Sequence, residues 1–354
     1  MSNIHLTLCT VISFLFLGTA GVFAADGPVG TEGKAHAGLN RFEFSQPHMG
    51  TVFRIVLHAE TKKNATLAAN AAFQRIADLD QIMSDYRENS ELMLLCKKSG
   101  GEPIKVSKDL FEVLAQGLEL SARSEGAFDI TVGPLSQLWR RARRVQALPS
   151  ADAIAHAKEL VGYEKMRLDA AAQTVQLTKE GMRLDLGAIA KGDAADQALA
   201  VLKQFGIESA LVAAGGDIAI GHAPPDAEGW LIGIAPLNNP DGPPTGYLML
   251  HDQGVSTSGD SEQHLDLEAQ RYSHVIEPKS GQALTGRRSV TVVAPNCRAS
   301  DSLGTAISVL GAEKGLALID STPGAAALYI EAVEQGEKSF ESKRWKDVPR
   351  GKAK

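Results

Sequence analysis

The sequence predicts a mixed α+β fold with largely antiparallel sheets flanked by helices. Short runs of β-branched and aromatic residues recur along the chain, and they outnumber the strands that a parallel βαβ pattern would supply. Between them lie segments whose apolar residues recur at helical spacing. No internal repeat is visible, so these elements are expected to build one mixed α+β domain.

The bulk composition is that of a globular protein. The chain has 354 residues, of which 44% are hydrophobic and 22% charged, and its formal net charge is -6. This charge gives no reason to expect a nucleic acid or an anionic membrane surface as a partner. A partner is therefore expected to be a small molecule or another protein.

The N-terminus predicts export. Residues 6–24 are uncharged and mostly apolar, and they end in Val22-Phe23-Ala24, with small side chains where a signal peptidase reads. Residues 1–24 are therefore interpreted as a signal peptide and the protein as periplasmic. Because His5 is the only basic group before the apolar run, an uncleaved membrane anchor facing the periplasm is the alternative.

Composition divides the rest of the chain into three parts. Residues 25–40 are rich in glycine and small polar residues, which predicts a flexible linker. Residues 41–335 carry the strand and helix signals of the folded domain, and residues 336–354 are predicted to be a polar, basic tail.

The first half of the domain predicts a strand pair and three helices. Two extended stretches within 42–60 flank a turn at Pro47–Gly50. Segment 126–138 is predicted to be irregular, because it is rich in glycine, proline and β-branched residues. The short basic run Arg140–Arg144 is interpreted as a solvated helix face, with a patch for acidic partners as the alternative. The helices are predicted from Leu67 to Ile82, over Val106–Ser124 and over Ala151–Val161.

The second half predicts more strands. Segment 166–186 is predicted to be extended, with a hairpin connection at 169–173, and 189–205 to be a helix that ends at Gly206. Two helices are predicted within 303–319 and a last strand at Ala325–Ile330. The remaining strands are predicted at Ala210–Val212, Ile218–Ile220, Leu231–Ile234, Tyr247–Leu250, His274–Ile276 and Ser289–Val293.

Cysteine usage argues against a metal cluster. Only Cys96 and Cys297 would remain after signal cleavage, and they do not have the spacing of zinc or iron–sulfur ligands. Both lie in apolar segments, which favours two buried thiols, although an exported pair could also form a disulfide.

Three groups of residues have patterns that suit phosphate chemistry. Asp185 to Lys191 places a carboxylate, small residues and a lysine across a strand-to-helix junction, where phosphates bind, although a capping Asp and a solvated Lys would give the same pattern. Asp301 and Thr305, four residues apart, would share one helix face and could hold Mg²⁺. A capping carboxylate with a back-bonded threonine is the alternative. His274 lies in a tightly patterned turn, where a structural histidine is the commoner outcome.

Eight ordered motifs resemble the ApbE family of FAD:protein FMN transferases, over residues 42–330. The string Gly126-Ala-Phe-Asp-Ile-Thr-Val-Gly-Pro-Leu135 is the most specific of them. The others are Met49-Gly50-Thr51, Met83–Tyr86 with Ser90–Leu92, Asp185–Lys191, Gly215-Gly216-Asp217, Ser256–Gly259, His274–Gly281 and Ser300–Thr305.

The resemblance implies a T-fold-like architecture and a set of site residues. It implies Mg²⁺ ligands at the carbonyl of Ala188 and the side chains of Asp301 and Thr305, and it implies that His274 is the general base. Positions that match FAD-contacting residues are Met49, Tyr86, Ala127, Phe128, Asp129, Asp185, Lys191 and Ile276. Asp193 departs from the family pattern by occupying a place that is usually aromatic.

The function implied by the resemblance is magnesium-dependent transfer of FMN from FAD to a threonine or serine hydroxyl of an acceptor protein, with release of AMP. The expected acceptors are subunits of membrane redox complexes or flavin carriers. Two alternatives stay open: an FAD diphosphatase that yields free FMN and AMP, and a protein that binds FAD without cleaving it.

Overall fold

The computed structural model describes residues 38–239, 242–259, 264–267 and 270–352. Within them the fold is mixed α+β with antiparallel sheets, as the sequence predicts. The predicted signal peptide and residues 25–37 of the predicted linker lie outside the described residues, and the linker's last residue, Asn40, begins the first strand.

The described elements are as follows in chain order. The first half contains β1 (Asn40–His48), β2 (Thr51–Ala59), α1 (Lys62–Met83), α2 (Glu91–Cys96), β3 (Ile104–Lys105), α3 (Lys108–Arg123), α4 (Gly133–Val145), α5 (Ala151–Lys158), β4 (Met166–Asp169) and β5 (Thr174–Leu177). The second half contains α6 (Ala190–Gln204), β6 (Ala210–Ala214), β7 (Asp217–Ile220), β8 (Trp230–Ile234), β9 (Gly246–Leu250), β10 (Gln253–Gly259), β11 (His264–Leu267), β12 (Gln270–Ile276), β13 (Ala283–Thr285), β14 (Arg288–Ala294), α7 (Cys297–Asp320), β15 (Ala326–Val333), β16 (Gly336–Glu341) and β17 (Arg350–Gly351).

An eight-stranded sheet organises the molecule, in the order β1-β2-β6-β7-β10-β14-β15-β16. Every neighbouring pair in it is antiparallel. Because successive side chains of a strand point to opposite faces, both faces of the central strands are covered. On β2, Phe53, Ile55 and Leu57 join the main core, whereas Val56 joins a second core on the other face.

Different layers cover the two faces. Helix α6 contacts both α1 and α7, and all three helices pack against strands on the main-core face. The small sheet β17-β9-β8 supplies apolar side chains to the second core. A third core joins α4 and α5 to the sheet β11-β12-β13, and there Trp139 Nε1 donates to the Gly281 carbonyl at 2.9 Å.

The C-terminal segment corrects one prediction. Residues 336–351 are not a tail outside the domain, because β16 pairs with β15 along its length and β17 pairs with β9. Trp345, between them, is only 1% exposed and packs in the second core. The composition of this segment is basic because few of its side chains are buried, and it therefore did not indicate a folded segment. Strands β16 and β17 follow β15, so the strand predicted at Ala325–Ile330 is not the last one.

Three local predictions are refined. Helix α4 begins at Gly133, inside the segment predicted to be irregular, and a proline in its first turn suits a helix start. Helix α7 begins at Cys297 and is kinked at Gly311, where φ is 76°. The hairpin turn before β5 places Gln173 at a positive φ of 54° without glycine or asparagine. Cys96 and Cys297 are buried free thiols, as the sequence favours.

Among the described residues one helix, α7, is long and apolar enough to span a membrane by length and composition. Half of its most apolar stretch is buried in the protein, and the helix packs against β10, β14 and α6. We therefore interpret α7 as a core helix of this domain.

Candidate active site

The centre of the candidate site is a buried cluster of one lysine and two carboxylates where α6 and α7 meet β7. Lys191 Nζ lies 2.6 Å from Asp217 Oδ2 and 3.4 Å from Asp301 Oδ2. It also donates to the Gly187 carbonyl at 3.2 Å. The side chains of Asp217 and Asp301 are almost fully buried, whereas that of Lys191 is partly exposed. A single ammonium therefore bridges two acids from distant parts of the chain.

Glycine at position 192 allows the two helices to come this close. A Cβ at Gly192 would lie 2.5 Å from the Cys297 carbonyl oxygen, so no side chain fits. The N–H of Gly192 donates to Asp301 Oδ2 at 3.1 Å. In a regular helix it would donate to the carbonyl of Ala188, as the N–H of Asp193 does to Ile189 at 3.0 Å. The Ala188 carbonyl is thus left for another partner.

The electrostatics of the cluster favour an additional cation. Burial and the charge of Asp217 together raise the pKa of Asp301 to about 7, against the opposing effect of Lys191. The same two carboxylates raise the pKa of Lys191 against the opposing effect of its burial, so Lys191 is charged. With both acids ionised the cluster carries one net negative charge.

The residues of this junction include candidate ligands for a magnesium ion. Thr305 lies one helical turn after Asp301, which places its hydroxyl on the same face of α7. Asp301, Thr305 and the Ala188 carbonyl are hard oxygen donors of the kind that Mg²⁺ accepts. No three His, Cys, Asp or Glu side chains of the described residues form a metal-binding group. A cation here would therefore depend on the carbonyl and hydroxyl as well as the carboxylate.

The loop before α4 is held by Asp129. Asp129 Oδ1 accepts from the N–H of Thr131 at 2.8 Å and from its hydroxyl at 2.7 Å, and Oδ2 accepts from the N–H of Tyr163 at 2.9 Å. Burial raises the pKa of Asp129, and these hydrogen bonds oppose the rise. Its carboxylate is therefore committed to shaping the loop.

Phe128 is buried. The resemblance implies that this position contacts FAD, but the side chain is 3% exposed and packs in the main core. Ala127 is also buried. This loop can therefore reach a ligand through its backbone, because the side chains that follow Gly126 point into the protein or bond within the loop.

Met49 and Tyr86 have different surroundings. Met49 is in a two-residue hairpin turn at a φ of 48°, a strained value for a residue with a side chain, and such strain often marks functional positions. Its side chain is partly buried and packs against the main core. Tyr86 lies between α1 and α2 and is 75% exposed, so a ligand can reach its ring.

A second charged cluster lies beneath Tyr86. Arg140 of α4 forms ion pairs with Asp85 and with Asp185, the latter at 2.9 Å from Nη2 to Oδ2. Its Cζ lies 4.4 Å from the centroid of the Tyr86 ring. Arg140 is therefore not part of a solvated face, which corrects that interpretation of the basic run, whereas Arg141 and Arg144 are exposed as expected.

Asp185 connects this cluster to the loops around it. Its Oδ1 accepts from the N–H of Gly187 at 2.8 Å, and its own N–H donates to the Ile130 carbonyl at 2.9 Å. The irregular segment before α6 and the loop before α4 are thus held together, and the extended structure predicted up to residue 186 ends at Leu177. Burial raises the pKa of Asp85, to which the charge of Asp185 adds, while Arg140 opposes the rise.

His274 and Ile276 lie on β12. The side chain of His274 is exposed, whereas Ile276 is buried in the third core and reaches a ligand only through its backbone. Strand β12 packs against α7, the helix that carries Asp301 and Thr305, and against α4. The fold thus places the strand of the predicted base beside the helix of the predicted metal ligands.

Two pairs of predicted site residues come together in the structure. Lys191 forms an ion pair with Asp301, and Tyr86 and Asp185 both contact Arg140. The structure also adds three residues that the sequence did not place in a site: Asp217, Asp85 and Arg140. Asp217 was visible within the Gly-Gly-Asp motif, but its contact with Lys191 spans 26 residues of the chain. Asp85 and Arg140 are 55 residues apart, so neither helical nor strand periodicity relates them.

The chain is similar to known proteins of one family. The sequence model of the ApbE family matches residues 49–329. An FAD:protein FMN transferase of Treponema pallidum is 33% identical, over 81% of this chain and 84% of that protein. One from Klebsiella pneumoniae is 30% identical, over 84% and 86%.

Solved structures give the same result. The flavin transferase ApbE of Vibrio cholerae superimposes with a TM-score of 0.80 at 28% identity, covering 88% of this chain and 99% of that one. The apo flavinyl transferase ApbE of Pseudomonas stutzeri gives a TM-score of 0.78 at 29% identity, covering 89% and 98%. Family match, relatives and fold together show that the chain belongs to the ApbE family.

Proposed function

We propose that this protein transfers FMN from FAD to a threonine or serine hydroxyl of an acceptor protein, releases AMP, and requires Mg²⁺. The observation that carries the proposal lies at the α6–α7 junction, where the N–H of Gly192 donates to Asp301 instead of to the Ala188 carbonyl, and where Thr305 follows Asp301 by one helical turn. A protein that only stores FAD would not need this arrangement. The names of the relatives, FAD:protein FMN transferase, support the same reaction.

The roles of the chain's own residues follow from their environments. Tyr86 offers an aromatic surface to a flat ring of FAD, because most of it is exposed. The exposed imidazole of His274 takes the proton of the acceptor hydroxyl, since its ordinary pKa lies near working pH. The acceptor oxygen then bonds to the FMN phosphorus while the bond from that phosphorus to the AMP oxygen breaks.

Lys191 contributes to the proposed reaction in two ways. Its ammonium neutralises part of the charge on Asp217 and Asp301, and its partly exposed side chain adds positive charge next to the phosphate-binding junction. Magnesium, when bound by Asp301, Thr305 and the Ala188 carbonyl, would supply further positive charge to the diphosphate and the departing AMP.

The acceptor class and the location of the protein belong to the same proposal. We expect the acceptors to be subunits of membrane redox complexes or flavin carriers. We also expect export to the periplasm, on the evidence of the apolar N-terminal run. Mass spectrometry of the mature protein from a bacterial host tests the export step: a chain that begins at Ala25 supports cleavage, whereas an uncleaved chain in the membrane fraction supports the anchor.

Purified residues 25–354 would be incubated with FAD, Mg²⁺ and a candidate acceptor, and flavin fluorescence followed on a denaturing gel while AMP is assayed. A fluorescent acceptor band that is lost with EDTA, His274→Ala or Asp301→Asn supports the proposal. His156→Ala is the matched control, because His156 is exposed on α5 outside the site, and it should keep full activity. Free FMN without a band would indicate the diphosphatase, and intact FAD would leave only a binding protein.

A further inference from the structure

We propose that Arg140 is a positioning residue that presents Tyr86 and Asp185 to FAD, an inference that rests on the proposed function. Arg140 touches both residues in the structure, Asp185 through an ion pair and Tyr86 through its ring face. It lies beneath the exposed ring, so its effect on FAD is exerted through these two partners.

The exposure of Tyr86 supports this role. A ring that is 75% exposed on a short loop would ordinarily move freely. Here one face of the ring lies over the Arg140 guanidinium at 4.4 Å, a distance typical of a cation–π contact. The opposite face is then available for a flat ring of FAD, which would complete a stack of guanidinium, phenol and ligand.

The loop that carries Tyr86 is anchored on both sides of the ring. Asp85, the preceding residue, is held by Arg140. On the other side, Arg87 pairs with Asp80 at 2.8 Å. The loop is therefore fixed immediately before and after the ring. Fixing a binding group in its bound position lowers the entropy lost when the ligand binds.

The charge of Arg140 also supports the positioning role. Arg140 faces two largely buried carboxylates, on Asp85 and Asp185, and is the only group with ion pairs to both among the described residues. Without the guanidinium these like charges would repel, and the junction and the loop of Tyr86 would separate. Lysine cannot replace it fully, because an ammonium lacks the planar guanidinium that pairs with two acids through separate nitrogens while it stacks on a ring.

The experiment measures FAD binding in EDTA, so that binding is separated from turnover, by titration of flavin fluorescence. Wild type, Arg140→Ala, Arg140→Gln and Arg140→Lys are compared, with Arg141→Ala as the control, because Arg141 is exposed on the same helix. We expect Arg140→Ala to weaken binding roughly tenfold, the size of a partly desolvated cation–π contact with loss of preorganisation. Lysine should restore only part of this loss.

Two further readouts separate positioning from general damage. In a Tyr86→Ala background, Arg140→Gln should add less than about twofold, because coupled residues are not additive. With Mg²⁺ and acceptor, KM for FAD should rise while kcat at saturating FAD stays within about threefold.

Unchanged FAD affinity in a folded Arg140→Gln protein would overturn the inference, as would an undiminished effect in the Tyr86→Ala background or a fall in kcat alone. A wild-type protein that binds no FAD would instead overturn the proposed function and this inference with it. Wild-type binding and transfer together with an inert Arg140→Gln substitution would refute the positioning role alone.

Discussion

Replacing Asp193 with asparagine should stabilise the protein at neutral pH and leave its stability unchanged at low pH. Asp193 is 2% exposed, and its Oδ2 has no hydrogen-bond partner among the described residues. Its Oδ1 accepts from Arg298 Nη1 at 3.1 Å. Burial raises its pKa from 3.8 to about 6, although the charge of Arg298 opposes the rise. The folded protein therefore holds a proton at this site more tightly than the unfolded chain does.

The sign and size of the effect follow from proton linkage. Because the pKa of Asp193 is higher in the folded protein than in the unfolded chain, stability falls as pH rises from 3.8 to about 6. Above about pH 6 stability falls no further on account of this group. The difference between the pKa values of the folded and unfolded states lowers the free energy of unfolding by at most about 3 kcal/mol. Asp193→Asn removes the charge and should recover much of it at pH 8, and almost none below pH 4.

The assay is urea unfolding of Asp193→Asn and wild type at several pH values between 4 and 8. The matched control is Asp226→Asn, because Asp226 is exposed and asparagine tolerates its positive φ of 62°. The control's difference from wild type should not change with pH. A stability gain for Asp193→Asn that is equal at both ends of the range, or a loss that grows with pH, would refute the reasoning.

Three other substitutions test the packing of the domain. Lys191→Met leaves two buried carboxylates without their shared cation, so the free energy of unfolding in EDTA should fall by about 3 kcal/mol. A urea midpoint equal to that of wild type would contradict this contribution of Lys191. Gly192→Ala should cost on the order of 1–3 kcal/mol in urea unfolding, because its Cβ would lie 2.5 Å from the Cys297 carbonyl oxygen. Trp345→Ala should lower the free energy of unfolding by about 3–5 kcal/mol, whereas Lys346→Ala, at an exposed neighbour, should leave it unchanged. Equal urea midpoints for the two variants would show that the C-terminal segment is a tail outside the core.

Local patterns predicted the elements that depend on local chemistry. The hairpin of β1 and β2 follows from two alternating stretches around Pro47–Gly50. Helix α6 ends where Gly206 takes a φ of 73°, as a C-terminal glycine predicts. The spacing of Asp301 and Thr305 correctly placed both on one face of a helix.

The sequence was less informative where tertiary contacts decide the structure. Trp345 is one aromatic residue within a basic segment, and only the second core explains why that segment folds back. The basic run Arg140–Arg144 has the composition of a solvated face, yet one of its members reaches acids from two other loops. Phe128 belongs to a motif that resembles a ligand-binding segment, but its side chain packs in the main core.

The measurement that tests the central claim most directly is intact-mass and peptide mass spectrometry of an acceptor protein after incubation with this enzyme, FAD and Mg²⁺. The account predicts a mass gain equal to one FMN phosphoester on a threonine or serine, absent with EDTA and with Asp301→Asn, and matched by an equal amount of AMP. An unmodified acceptor alongside FMN and AMP in solution, or a modification that persists undiminished in EDTA, would contradict it.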